Sequence, residues 1–304
     1  MASYSEIYKE LKKNKNLTVR RNEPLSKYTT LRIGGPASLL VIPSNIQGIL
    51  DMLSITSGVK KYIIGNGSNL LIPDSGIKGT VVRISGGINN FECDGRKIIV
   101  GSGMLLPTLI KKTIHLGLSG LEFAAGIPAA VGGATITNAG ALGSEFGNLI
   151  DYIEIIDRSG TLTKISKRDL KFSYRKCSLK DCIVVSVRLK LKHKKPENIR
   201  KKIKDNLLWR RDCQPISVPS AGSVFKNPKD VPAGKLIDMA GLKGLRIGGA
   251  EISKKHGNFI INLGDAKESD VSSIIRKVRT VVKEKFRVNL ELELIDSHQL
   301  TMLS

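Results

Sequence analysis

The segment PSAGSVFKNP, residues 219–228, holds two serines in a turn-forming run that has a proline at each end. Proline fixes its backbone φ angle and glycine adopts conformations closed to other residues, so such a run forms a stiff loop. A stiff loop can hold one hydroxyl group in position for chemistry, although many surface turns are equally stiff and only reverse the chain. Composition alone does not decide whether Ser220 or Ser223 has a chemical role.

Glycine-rich blocks are concentrated in the first half of the chain, at residues 31–37, 63–82, 100–104 and 124–148. The run at residues 65–69 follows a predicted strand and would expose consecutive backbone N–H groups, an arrangement that binds phosphate. It is not a Rossmann motif, because Leu70 stands where the third glycine is required, and the chain contains no Walker sequence. We therefore expect a large phosphate-bearing ligand bound outside both standard motifs, although similar glycine turns also serve only to reverse the chain.

The composition is that of a globular protein. The chain has 304 residues, of which 41% are hydrophobic and 25% are charged, enough for one large domain or two domains with a substantial core. No apolar run approaches the roughly 20 residues that a membrane-spanning helix needs. The N-terminal residues follow a helical pattern with scattered lysines and no apolar core, unlike a secretory signal. These features predict a cytoplasmic protein without a membrane partner.

Four cysteines, at positions 93, 177, 182 and 213, and four histidines raise the question of a metal site. Cys177 and Cys182 have four residues between them, no histidine lies close to them in the sequence, and no Cys-x-x-Cys motif occurs. The ligand spacings of structural zinc sites are therefore not met, and we expect no metal. Free thiols agree with a reducing cytoplasm.

The net charge of +22 arises from 49 Lys and Arg against 27 Asp and Glu. Such an excess would suit nucleic acid or an anionic small molecule as a ligand. The lysines are spread along the whole chain, only 5% of the residues are aromatic, and the usual nucleic-acid-binding motifs do not occur. We expect no nucleic-acid partner, and a basic nucleic-acid-binding protein is kept as an alternative.

The hydrophobic pattern predicts an α+β fold in which strands predominate. Helices are predicted at residues 3–14, 45–56, 106–116, 233–240 and 269–286, and after Pro196 through Trp209. Strands are predicted at residues 38–43, 61–65, 79–84, 97–101, 182–191 and 288–295, with a hairpin over 151–166 that turns at Ser159 and Gly160.

In the last predicted helix, residues 269–286, seven apolar side chains fall on one face, and Ser269 is the candidate N-cap. A change of composition in the basic stretch 192–200 predicts a domain boundary near residue 195. We therefore divide the chain into a lead-in, a first domain and a C-terminal domain, at residues 1–25, 26–194 and 195–304.

Two of the glycine blocks carry a resemblance to a known class. YIIGNGSNLLIPDSGIKGTVVRI and LEFAAGIPAAVGGATITNAGALGSEF resemble the FAD-contacting segments of the PCMH-type, or vanillyl-alcohol-oxidase-type, flavoproteins. Together with PSAGSVFKNP and GLRIGGAEISKKHGNFIIN, they resemble the UDP-N-acetylenolpyruvoylglucosamine reductase (UDP-N-acetylmuramate dehydrogenase) family over residues 28–293. The resemblance implies an FAD-binding domain of two α+β subdomains, followed by an α+β substrate-binding domain.

The same resemblance implies a reaction. NADPH would be the co-substrate, and the enolpyruvyl group of UDP-N-acetylglucosamine enolpyruvate would receive a hydride from FAD at C3 and a proton at C2, which gives the peptidoglycan precursor UDP-N-acetylmuramate. Neither glycine block contains a histidine or a cysteine, so we expect non-covalent FAD. Another PCMH-type FAD oxidoreductase, such as an oxidase that uses oxygen, is the first alternative, and a flavin spectrum would count against a nucleic-acid-binding protein.

Three catalytic residues follow from the family motifs. Ser223 matches the proton donor, and Ser220 would stabilise the turn. Arg175, in FSYRKCS, would pair with the substrate carboxylate and the developing enolate, for which its planar, permanently charged group is suited. Glu293 matches the family's Leu-x-x-Glu-Val pattern with a leucine in place of the valine. Glu291 remains an alternative, because residues two apart in a strand point to the same face.

The binding residues are also carried over from the motifs. Lys226 and Asn227, together with Arg175, would contact the substrate, Arg32 would face the flavin or the substrate, and His256 and Asn258 would shape the cleft. Ser223 lies only 48 positions after Arg175 in the sequence, so we expect the family type without an inserted loop, and a monomer. The residues expected to bind FAD are Gly65, Asn66, Gly67, Ser68, Asn69, Gly126, Gly132, Thr135 and Asn138.

Overall fold

The computed structural model of the protein describes residues 3–296, 300 and 302–303. Within these residues no helix is long and apolar enough to cross a membrane. The predicted helices are all present, and a short helix, α4, was not predicted. The helices are α1 (Tyr4–Lys13), α2 (Ile46–Ile55), α3 (Leu106–His115), α4 (Val131–Ile136), α5 (Pro196–Cys213), α6 (Ala233–Met239) and α7 (Glu268–Phe286).

The first sheet mixes parallel and antiparallel pairing. Its three central strands, Pro36–Pro43, Ile77–Arg83 and Lys61–Ile64, are parallel to one another, and the strand at each edge pairs antiparallel with its neighbour. Helices α1 and α2 cover it through buried residues such as Leu11, Ile49 and Met52. In spatial order the strands are Leu17–Pro24, Pro36–Pro43, Ile77–Arg83, Lys61–Ile64 and Met302–Leu303.

The second sheet is antiparallel and contains the predicted hairpin, in which Ile156 pairs with Leu162. Its core includes Ile98, Val187 and Phe146, together with the buried faces of α3 and α4. In spatial order the strands are Leu162–Ser166, Ile150–Ile156, Ile183–Lys190, Lys97–Gly101 and Phe91–Asp94.

The third sheet is antiparallel and packs against α6 and α7. In spatial order its strands are Ser220–Ser223, Phe259–Asn262, Ala250–Ile252 and Arg246–Ile247. The described residues also form short two-stranded pairs, which are Gly140–Ala141 with Ser144–Glu145, Phe172–Ser173 with Lys176–Cys177, Leu118–Ser119 with Lys192–His193, and Leu70–Leu71 with Ile295–Asp296. Three sheets with attached helices confirm the predicted α+β class.

Helix α7 differs from the prediction at its N-terminus. It begins at Glu268, and the Asp270 carboxylate accepts a hydrogen bond from the Lys267 N–H at 3.0 Å. Asp74, from the glycine-rich half of the chain, accepts another from the Glu268 N–H at 2.9 Å. These carboxylates satisfy the free N–H groups of the first turn and complement the helix dipole, so the prediction of Ser269 as N-cap is wrong.

Helix α5 packs with the core of the second sheet. Asn206 donates to the Glu122 carbonyl at 2.7 Å, Arg210 donates to the Phe123 carbonyl at 3.3 Å, and Ile203 contacts the core of the second sheet. Residues of α5 therefore pack in the core of the second sheet, and most buried apolar residues after α5 pack in the core of the third. The change of amino-acid composition comes earlier, near residue 195. The basic stretch 192–200 contains the start of this helix at Pro196, and the domain boundary near residue 195 stays a prediction.

The prediction of a continuous strand at residues 288–295 is wrong. In this segment Leu292 forms only an isolated bridge with Phe225, and the regular pairing begins at the short strand Ile295–Asp296. The segment crosses from the third sheet to the glycine-rich loops, so it has no single partner strand along its length.

Candidate active site

A cleft of about 920 Å³, which we call the main cleft, lies between the glycine-rich loops and the third sheet. Its wall includes residues 126–129, 139–142, 214–223 and 255–259. A volume of this size is typical of small-molecule sites, which span roughly 300–1,000 Å³. The cleft draws on all three sheet regions, so its shape depends on how the domains pack together.

Ser223 reaches the main cleft through a bulge in the third sheet. Ser220 pairs with Ile261 and Ser223 pairs with Phe259, so the serine strand has one more residue than its partner between the two pairs. Gly222, within this bulge, has a φ of +74°, a left-handed value that favours glycine. Such bulges change the direction of a side chain, which explains why a glycine must precede this serine.

Glu293 and Arg175 form an ion pair in the main cleft. The Arg175 Nε donates to Glu293 Oε1 at 2.5 Å, and the two side chains are 20% and 15% exposed, respectively. Burial raises the pKa of Glu293, although the charge and the hydrogen bond of Arg175 act in the opposite direction. This carboxyl group therefore keeps a proton to a higher pH than an ordinary glutamate does, which is typical of functional sites.

The neighbouring glutamate points elsewhere. The N–H groups of Glu293 and Leu294 both donate to the Val224 carbonyl, at 2.9 and 3.2 Å, and this double contact interrupts the strand alternation. Glu291 is 75% exposed and accepts from Lys226 Nζ at 3.1 Å, outside the main cleft. The expectation that both glutamates share a face is wrong, because the segment that carries them is not a regular strand.

Arg175 lies at the tip of the hairpin formed by Phe172–Ser173 and Lys176–Cys177. Its φ is +57°, an uncommon left-handed value for a residue other than glycine. The guanidinium lies 5.0 Å from the centre of the Tyr174 ring, and a side chain at Gly140 would approach its Nη1 to 3.0 Å. Backbone strain of this kind persists where the surrounding structure holds a functional side chain in place.

A second cavity of about 170 Å³, which we call the glycine cavity, lies between residues 63–70 and the start of α4. It adjoins the main cleft, because Ser68, Asn69, Ala129 and Thr137 line both. The two cavities therefore form a continuous space that could hold an extended ligand with one end beside Ser223 and Glu293.

The asparagine side chains of the glycine run connect it to its surroundings. The Asn66 amide donates to the Pro128 carbonyl at 2.7 Å, which joins the two FAD-like glycine blocks. The Asn69 amide donates to the Glu293 carbonyl at 2.9 Å, which joins the run to the ion pair. These contacts fix the loop through its side chains and leave backbone groups to line the glycine cavity.

Two buried polar atoms without a partner among the described residues belong to residues that line this space, Ser102 Oγ and Arg210 Nε, and a third, Arg83 Nε, belongs to a residue bonded to Asn66 in its wall. Ser102 lines the glycine cavity, Arg210 lines the main cleft, and Arg83 donates to Asn66 at 3.4 Å. Burial lowers the pKa of both arginines, so their charges are only partly compensated. Buried polar groups are normally paired, so these donors fit a polyanionic cofactor such as FAD.

Comparisons with known proteins agree with this geometry. Residues 37–166 match a family model described as an FAD binding domain, and residues 214–295 match the C-terminal domain of UDP-N-acetylenolpyruvoylglucosamine reductase. The chain is 40% identical over 296 residues to the UDP-N-acetylenolpyruvoylglucosamine reductase of Bacillus subtilis, a match that covers 95% of this chain and 97% of the relative. The chain belongs to the UDP-N-acetylenolpyruvoylglucosamine reductase family.

Further relatives support this membership. The UDP-N-acetylenolpyruvoylglucosamine reductase of Moorella thermoacetica is 44% identical over 288 residues, which cover 94% of this chain and 95% of that one. The crystal structure of the Thermus caldophilus enzyme of this family matches with a TM-score of 0.82 at 40% identity and covers 92% of this chain and 99% of that chain. The resemblance stated from sequence is thus confirmed, including an FAD-binding oxidoreductase architecture.

The UDP-N-acetylenolpyruvoylglucosamine reductase fold places most of the expected FAD residues at the continuous space. Residues 65–69 and Gly132 line the glycine cavity, and Gly126 lines the main cleft. Thr135 and Asn138 are fully buried instead. The Thr135 hydroxyl donates to the Val131 carbonyl, and the Asn138 amide donates to Glu145, so these two side chains position the loops rather than face the cavity.

The expected substrate residues are divided by the structure. Arg32 and Asn227 line the main cleft, whereas Lys226 pairs with Glu291 outside it. His256 also lines the cleft, and burial lowers its pKa. Asn258 exchanges two hydrogen bonds with the backbone of Phe225, at 2.9 and 2.7 Å, and so holds the segment that follows Ser223.

Several residues at this space were missed from the sequence, among them Ser102, Cys182 and Arg210. The glycine block at 100–104 was a signal for Ser102, but nothing distinguishes Arg210 from the exposed Arg211 beside it except packing. Cys182 lines the glycine cavity, and burial raises its pKa to about 11. A protonated thiol is a weak nucleophile, which supports non-covalent cofactor binding.

We expect Gly67→Ala to lose most of its bound flavin. A Cβ atom at Gly67, where φ is +63°, would lie 2.0 Å from the Tyr28 carbonyl oxygen, so the glycine run would have to move. Gly58→Ala is the matched control, because Gly58 has a φ of +73° and nothing within 4 Å of its Cβ position. Both variants bear a left-handed alanine at a cost of about 1 kcal/mol.

The ratio of flavin to protein absorbance after purification measures this effect. Gly58→Ala should keep the wild-type ratio. Full flavin content in a folded Gly67→Ala protein would show that the glycine run does not hold the cofactor.

Proposed function

We propose that the protein reduces the enolpyruvyl group of UDP-N-acetylglucosamine enolpyruvate to give UDP-N-acetylmuramate, with NADPH as the reductant. The observation that carries this proposal is the position of Ser223 and the Arg175–Glu293 pair in one cleft that continues into the glycine cavity. The names of the relatives give the same substrate class.

Residues 65–69 and Gly132 would hold FAD at the glycine cavity. Once reduced by NADPH, FAD would supply the hydride for C3 of the enolpyruvyl group. Ser223 would give the proton to C2. A serine hydroxyl is a weak acid, so its proton leaves only as negative charge develops on the substrate. Positively charged groups that line the cleft, such as Arg175, would ease that charge.

Arg175 would bind the substrate carboxylate and stabilise the developing enolate. Its Nε is occupied by Glu293, which leaves the outer guanidinium nitrogens for a carboxylate in the cleft. Glu293 would thereby fix the orientation of the arginine, and its raised pKa suits a group that shares a proton with the substrate carboxylate. The position of Glu291 outside the cleft favours Glu293 for this role.

Positive charge in the main cleft would favour a nucleotide substrate. Lys235, Lys243 and Lys255 line the cleft, and Asp238 pairs with Lys243 at 2.8 Å. A positive cleft attracts a UDP-sugar that carries a further carboxylate, and the polyanionic NADPH. These side chains account for a few of the positive charges behind the net charge of +22.

We further propose that the enzyme is a cytoplasmic monomer with neither a nucleic-acid nor a membrane partner. The cysteines of the described residues are free, which supports a reducing compartment. Lys226 would contact the substrate after it leaves Glu291.

The test is an anaerobic reaction of the purified yellow protein. NADPH should bleach the flavin absorbance, and UDP-N-acetylglucosamine enolpyruvate should restore it with formation of UDP-N-acetylmuramate, detected by mass spectrometry. Absorbance that returns only when oxygen is admitted would overturn the proposal and favour an oxidase of the same structural class.

A further inference from the structure

The main cleft has an apolar lip that the proposed chemistry does not use. Trp209 is the only tryptophan of the chain, is 49% exposed and lines the cleft. Ile216 and Leu142, at 58% and 46% exposure, line it too. Large apolar side chains this exposed within a concave site indicate a surface that a ligand covers.

The fold brings these side chains to one side of the cleft. The strand Gly140–Ala141 and helix α5 both pack against the short turn Glu122–Ala124. Leu142 follows that strand at the hairpin tip, where its φ is +52°, and Trp209 lies near the C-terminal end of α5, directly before its last turn. Because both elements share this neighbour, the hairpin tip and the end of the helix border the same part of the opening.

Positive charge adjoins the apolar lip. Arg210 follows Trp209 directly, lines the cleft and has an unpartnered buried Nε among the described residues. Lys255 also lines the cleft and donates its Nζ to the Arg211 carbonyl, so it lies against the end of α5. A flat aromatic surface beside cationic groups matches the two parts of a nucleotide, which are its planar base and its phosphates.

We propose that Trp209 is a stacking platform for the base of a nucleotide ligand in the main cleft. The inference rests on the proposed function for the identity of that nucleotide. The stacked base would be either the uracil of the UDP-sugar or a base of NADPH. Both sources share the same chemistry, because every base offers a flat π face to an aromatic ring. Ile216 and Leu142 would shield the edges of the stacked base from water.

Intrinsic fluorescence tests the stacking directly, since all tryptophan emission comes from this residue. Oxidised holoenzyme is titrated with UMP, with NADP⁺ and with ribose 5-phosphate, which has the phosphate but no base. We expect saturable quenching by UMP or by NADP⁺, which identifies the source of the base, and none by ribose 5-phosphate. Equal quenching by ribose 5-phosphate, or no quenching by either nucleotide at saturation, would overturn the proposal.

Steady-state kinetics give a second, independent readout. Trp209→Ala should raise the KM of the stacked nucleotide by roughly 5- to 160-fold, which corresponds to about 1–3 kcal/mol for one base stacked on an aromatic ring, and change kcat by less than about twofold. Trp209→Phe should restore most of the affinity. Leu208→Ala is the matched control, because Leu208 is 37% exposed on the same helix and does not line the cleft.

The outcomes separate this inference from the proposed function. Normal KM values in Trp209→Ala, with wild-type turnover of the enolpyruvyl substrate, would overturn the stacking role alone. Absence of wild-type turnover would overturn the proposed function, while the fluorescence titrations would still decide whether a base stacks on Trp209. A change from dimer to monomer in Trp209→Ala by light scattering, without a change in nucleotide binding, would assign the lip to subunit contact and overturn the inference.

Discussion

In the Ser223→Ala variant, NADPH should bleach the flavin absorbance as fast as in the wild type. When the enolpyruvyl substrate is added, that absorbance should return about 10²- to 10⁴-fold more slowly. The variant removes the hydroxyl that the bulge at Gly222 directs into the main cleft, and leaves the glycine cavity intact. Proton delivery to C2 is thereby lost, while reduction by NADPH needs no proton from this residue. Anaerobic stopped-flow absorbance separates the two half-reactions.

Ser220→Ala is the control for this prediction. Ser220 lies in the same strand and lines the same cleft, and its structural contact is made by its carbonyl, which accepts from the Thr30 hydroxyl at 2.7 Å. That contact survives the substitution, so we expect recovery close to the wild-type rate. If Ser223→Ala recovers as fast as Ser220→Ala, the proton comes from Glu293 or from water.

Glu293→Gln should lower turnover by at least about 10²-fold, whereas Glu291→Gln should stay within about twofold of the wild type. Glutamine cannot balance the charge of Arg175 or share a proton with the substrate carboxylate, while Glu291 makes only an exposed pair with Lys226. Steady-state assays of both variants measure the difference. Equal losses would mean that Lys226 and Glu291 join the chemistry when substrate binds.

Glu293 also predicts a dependence of stability on pH. Because burial raises its pKa, the folded protein holds this proton to a higher pH than the unfolded chain does. The contribution to stability is therefore complete below the pKa of an unfolded glutamate and is lost as the pH rises through the folded value. The melting temperature of the wild type should fall relative to Glu293→Gln over that interval.

Thermal melts of the two proteins across acid to neutral pH test this sign. A difference that stays constant with pH would show that Arg175 compensates the burial of the carboxylate fully. Gain of stability together with loss of turnover in Glu293→Gln would be the expected exchange between stability and activity at a functional site.

Local physics explains why so much could be predicted from the sequence. The apolar face of α7 and the hairpin over 151–166 depend on periods of 3.6 and 2 residues, which are visible in any window. The glycine run at 65–69 and the Gly222–Ser223 pair depend on backbone conformations that few residues other than glycine adopt. These local requirements account for the predicted helices, most of the predicted strands and the glycine run, whereas the choice of Ser223 over Ser220 and the FAD assignment came from the family resemblance.

Contacts between distant segments decided the rest. Asp74 reaches the first turn of α7, which no pattern near Ser269 could show. Val224 accepts from two successive N–H groups and so turns Glu293 inward while Glu291 faces solvent. Arg210 differs from its neighbour Arg211 only because α5 packs against the second sheet.

The sequence by itself therefore determined which residue types are available as candidate catalytic groups and which glycine-rich loops can bind a phosphate through their backbone. The tertiary structure alone decided that Glu293, and not Glu291, pairs with Arg175, and that Arg210 is buried away from solvent. Burial and ion pairing depend on groups brought together from distant parts of the chain.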